Sequence, residues 1–89
     1  PPDALQASPR QHVGRIVALD LAQGFAFVSL TASPPAAALA DAAELLARTD
    51  DLRETARLRA SRHTRGRVLG CRIQSGRPNV GDEVVFQSP

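Results

Sequence analysis

The chain has no lysine, methionine, tryptophan or tyrosine, and its only aromatic side chains besides two histidines are Phe25, Phe27 and Phe86. Three phenylalanines and a large share of alanine make for a modest aliphatic core into which the phenylalanines are read. With no tyrosine or tryptophan, the usual stacking platforms of nucleic-acid binders are missing. One cysteine, Cys71, excludes an intramolecular disulfide and a cysteine-rich zinc site. It falls between Leu69 and Ile73 on an apolar face and reads as a buried, inert thiol. No apolar run reaches the roughly 18–20 residues that a helical membrane span needs.

At 89 residues there is room for one hydrophobic core. Residues 1–11, PPDALQASPRQ, are rich in proline, alanine, serine and glutamine and read as a flexible linker from a longer protein. Residues 12–87 then form the single domain.

All eleven basic residues are arginine, a usage that a GC-rich genome also produces. Their placement carries more information. Residues 1–52 hold three arginines against six acids, residues 53–77 hold eight against Glu54 alone, and residues 78–89 hold two acids. A weakly charged chain thus contains one strongly basic stretch.

Short runs rich in branched residues, separated by Gly, Pro, Asn and Asp, predict a mostly β, barrel-like fold of five to six mainly antiparallel strands. His12–Leu19 and Phe25–Leu30 are expected to pair around the turn ending at Gly24. In the second run Phe25, Phe27 and Ser29 share one face and Ala26, Val28 and Leu30 the other. Ser33 and Pro34 suit a helix start, so one short helical insert is expected around 34–46, from about Pro35 to Leu46; a sixth strand follows if Glu44–Thr49 is extended instead. From Leu52 to Ser61 apolar and polar residues alternate with period two, which predicts an extended segment over 53–60 after a turn at Asp50–Asp51. Gly66–Ile73 and Glu83–Phe86 complete the strands. Ile16, Val28, Leu58, Leu69, Ile73 and Val84 are the expected core.

The closing stretch RGRVLGCRIQSGRPNVGDEVVF, Gly66–Phe86 in particular, is similar to a hairpin in the second-domain β-barrel of translational GTPases. Over most of residues 13–86 the chain resembles the small C-terminal β-barrels of bacterial envelope proteins of the flagellar assembly protein T type. That resemblance rests on Gly14–Val17, Phe27–Leu30, Leu45–Arg48, Arg53–Ala60 and Ile73–Val84. It implies an assembly or binding module in the cell envelope or periplasm, and it brings no catalytic residue with it.

No constellation for catalysis or metal binding stands out. Asp50–Asp51 and Asp82–Glu83 are adjacent pairs, which an extended chain points to opposite sides. His12 borders the linker, and His63 sits in an expected RHTRG loop among cations. The glycines lack the lysine and helix of a phosphate-binding loop, Ser29 and Ser61 have no G-x-S-x-G context, and Cys71 has no base indicated beside it. No cofactor is implied. The feature with functional colour is the arginine run: Arg53, Arg57 and Arg59 on one strand face, with Arg62, Arg65 and Arg67 flanking the next loop, can grip phosphates or carboxylates with two-pronged hydrogen bonds. The expected function is therefore a non-enzymatic binding or structural module of a larger bacterial envelope protein, engaging a protein or anionic partner. The alternative is a cytoplasmic nucleic-acid-binding barrel of OB or SH3-like shape that uses Arg53–Arg77.

Overall fold

The computed structural model describes residues 10–34 and 36–87. Period-two alternation sorts small apolar side chains inward on six strands: β1 (Arg10–Asp20), β2 (Phe25–Leu30), β3 (Glu44–Arg48), β4 (Glu54–Arg65), β5 (Val68–Gly76) and β6 (Glu83–Gln87). They close into a barrel in the order β1-β2-β5-β4-β3-β6, with every pairing antiparallel. Closure leaves no sheet edge unpaired. The expected linker lies outside the described residues over 1–9, and Arg10 and Gln11 open β1.

The expected helix is not formed. Ala36–Leu39 make one turn of 3-10 helix, and Glu44–Arg48 are extended as β3. Helix propensity loses here to tertiary pairing: β3 sits between β4 and β6, where Leu45 opposes both Leu58 and Phe86 and Ala47 opposes Ala56 and Val84. Ala38 is fully buried in the core, so the β2–β3 linker plugs one end of the barrel. Ala42 and Ala43 tie that linker to β4 through backbone bonds with Ala60.

A six-stranded barrel has a narrow interior, and alanine fits it. Ala26, Ala47, Ala56 and Ala60 point inward beside Ile16, Val28, Leu45, Leu58, Leu69, Cys71 and Val84, all buried. Of the expected core residues Ile16, Val28, Leu58, Leu69 and Val84 are buried, while Ile73 is half-buried. Burial pushes the Cys71 thiol up to about 12, so it is no nucleophile at neutral pH.

Irregularities bend the strands around the barrel. A bulge at Val17 leaves that side chain half exposed and lets β1 keep pairing with β2 beyond Ile16. Gly14 lies opposite both Leu30 and Val84, and a Cβ there would run into the Ser29 carbonyl. Gly76, at φ 82°, passes so close to Thr55 that a Cβ would meet its carbonyl oxygen.

Candidate anion-binding face

Arg57 and Arg59 point outward from β4 because Ala56, Leu58 and Ala60 point in. Arg59 stands directly opposite Arg72 of β5, and Arg72 stands directly opposite Phe25 of β2. Asp20 of β1 and Glu44 of β3 extend the same row on either side. One level of the outer barrel wall therefore reads Asp20, Phe25, Arg72, Arg59, Glu44 across five strands. Among the described residues Arg59 and Arg72 make no ion pair, so two like charges share adjacent strands without an acid between them.

The six arginines singled out in the sequence do not form one site. Arg53 precedes β4, whereas Arg65 ends it at the opposite end of the strand. Arg57 is engaged by Glu54 at 3.2 Å and Arg62 by Asp41 at 3.4 Å, both pairs exposed. Arg65 and Arg67 sit at the β4–β5 turn, where Gly66 at φ 61° allows a two-residue connection. The arrangement gathers Arg59 with Arg72 on the wall and Arg65 with Arg67 at the hairpin tip.

The reading of all three phenylalanines as core is overturned. Phe86 is inside, but Ala26 and Val28 fill the interior side of β2, so Phe25 and Phe27 lie on the outer wall, half-buried. Their rings are nearly parallel, 19° apart in plane with centroids 6.3 Å apart. The Arg72 guanidinium carbon lies 5.3 Å from the Phe25 centroid, a cation–π contact. The signal was present in the sequence: Ser29 shares the face of Phe25 and Phe27, and a polar residue marks the outward side of a strand.

His63 is not in a loop; it belongs to β4. Between Ala60 and Thr64 the β4–β5 register slips, with three residues on β4 facing Gly70 alone. Ser61 fixes this bulge, its hydroxyl donating to the Gly70 carbonyl and accepting from the His63 amide at 3.1 Å. Gly70 has no side chain, so His63 folds across it and meets Phe25 edge to face, with ring centroids 6.3 Å apart. Shallow grooves flank Phe27 and His63. One is bounded by Phe27, His63, Thr64, Arg65, Val68 and Gly70 and encloses about 490 Å³; the other is bounded by Asp20, Gln23, Phe25, Phe27 and His63.

The remaining candidates have structural partners. Asp82 is buried, accepting from the Thr55 hydroxyl at 2.7 Å and the Asn79 amide at 2.9 Å, which folds the turn before β6. Glu83 faces the other way and accepts from Arg48 Nε and His12 Nδ1, each at 2.8 Å. The Arg48 hydrogen bond holds the Glu83 carboxyl below its ordinary range, against the opposing effect of burial. Asp50 lies 3.4 Å from Arg15. Among the described residues no three His, Cys, Asp or Glu side chains converge as a metal site would require. No helix there is long and apolar enough to cross a membrane. Family models, curated proteins and solved structures all fail to match the chain, so the geometry of this face carries the functional reading.

Proposed function

We propose that the chain is a non-enzymatic binding module that engages an anionic partner through the outer wall of β4 and β5. The observation that carries this reading is the directly opposed pair Arg59 and Arg72. Like charges directly across a strand pair destabilise a sheet, and an anion bridging them turns that repulsion into charge-assisted hydrogen bonds. Arg65 and Arg67 extend the positive field toward the hairpin tip. Membership of a larger bacterial envelope protein is supported by the sequence resemblance alone, and the anionic partner does not depend on it.

The test is binding of heparin, a flexible sulfated polyanion, to the whole chain and to an Arg59→Glu/Arg72→Glu variant. Arg15→Glu, which removes a cation paired with Asp50, is the control. The double variant should lose most of its affinity and show a flatter salt dependence, while the control keeps both. Equal retention of all three proteins would refute the reading.

A further inference from the structure

We infer that the anionic partner is a single-stranded nucleic acid, its phosphates on Arg59, Arg72 and Arg65 and its bases stacked on the rings of Phe25, Phe27 and His63. The inference rests on the anion-binding reading and assigns it a partner.

Charge alone would suit any polyanion; the rings narrow the choice. A small barrel with alanine inside has placed two phenylalanines outside, each half-buried, and a histidine meets one of them edge to face. Ring faces beside guanidinium groups are the two components by which proteins hold unpaired nucleotides: stacking takes the bases and cations take the backbone. Here both occur in one cross-strand row. Phe25, Arg72 and Arg59 occupy adjacent strands, so ring and charges are stepped by the inter-strand spacing of about 4.8 Å.

The grooves beside Phe27 add hydrogen-bonding groups next to the stacking surface. Gln23 and Asp20 border one and Thr64 the other. An amide, a carboxylate and a hydroxyl can meet the edges of bases that are splayed apart, whereas in a duplex those faces are already stacked on one another. His63 is held for this purpose by local chemistry, through the Ser61-stitched bulge and the bare backbone of Gly70. An acidic peptide or a sulfated glycan would use the arginines and leave the rings idle.

The experiment measures fluorescence anisotropy of a labelled mixed-sequence single-stranded oligonucleotide, with its duplex and heparin in parallel. It uses the whole chain and Phe25→Leu/Phe27→Leu, which keeps apolar cover and removes the π faces. The single strand should bind at least tenfold tighter than the duplex. The leucine variant should lose at least tenfold for the single strand while its heparin affinity stays within twofold. His63→Ala, at an exposed position that leaves the barrel interior untouched, should lose about threefold and stands in if the leucine variant unfolds. Equal affinity for single strand and duplex, or variants that bind the single strand as well as the parent, would overturn the inference. If heparin binding still required Arg59 and Arg72, the broader reading would survive that result; if no polyanion bound at all, both would fall.

Discussion

Arg72 is directly opposite Arg59 on one side and directly opposite Phe25 on the other, with its guanidinium lying over the phenylalanine ring. Two effects of opposite sign therefore meet on one side chain. Repulsion from Arg59 costs about 0.2–1 kcal/mol, and the cation–π contact returns about 0.5–1 kcal/mol.

Arg72→Gln should consequently change stability by no more than about 0.5 kcal/mol while weakening polyanion binding severalfold. Urea denaturation and heparin elution on the same preparations check this. A large stability loss would show that the arginine serves the fold.

Leu58 is buried on β4 between Leu45 and Ile73, while Ile73 itself is only half-buried. Leu58→Ala should cost about 2–5 kcal/mol, enough to unfold much of a small barrel. Ile73→Ala should cost clearly less. Urea midpoints in the reverse order would mean that the inward face of β4 is misassigned.

Backbone crowding predicts a different class of effect at Gly14 and Gly76. A methyl group at either position meets a carbonyl of the neighbouring strand, which cannot move without breaking the ladder. Each Gly→Ala should destabilise by about 1–3 kcal/mol. Gly24→Ala, where nothing lies near a Cβ, should cost only about 1–2 kcal/mol from its φ of 75°. Thermal melts of the three variants rank them directly.

Glu83 couples the barrel to pH. Its carboxyl is depressed in the folded state by Arg48, so it contributes stability above the unfolded carboxyl value of about 4.3, and that contribution disappears as pH falls through the lower folded value. Glu83→Gln should lose about 1–2 kcal/mol at neutral pH and show a shallower fall in stability on acidification. Urea midpoints measured between about pH 2 and pH 7 test the sign. An unchanged acid limb would show that Glu83 does not set the acid stability of the barrel.

The barrel was legible in the sequence because period-two alternation survives even where residues are small, as in Ala56, Leu58 and Ala60 against Arg57 and Arg59. Residues 34–46 were not, since ALADAAELLA satisfies helix propensity locally and only pairing with β4 and β6, remote in the chain, makes Glu44–Arg48 extended. The site was half legible. The arginines announced themselves by charge, but which ones converge depends on register: Arg72 joins Arg59 because β4 and β5 are paired so, and Arg53 is left at the far end of β4. Phe25 and Phe27 misled because large apolar residues ordinarily face inward. His63 depended on a bulge that no local pattern marks.

Binding on the wall formed by β2, β5 and β4 has a spatial consequence that can be mapped residue by residue. Amide-resonance mapping during titration with a single-stranded oligonucleotide tests this placement. Perturbations should cluster at Phe25, Phe27, Arg59, His63 and Arg72, with Arg15, Arg48 and Glu83 on the other side of the barrel unmoved. Perturbations centred on Arg15 and Arg48, or spread evenly around the barrel, would contradict it.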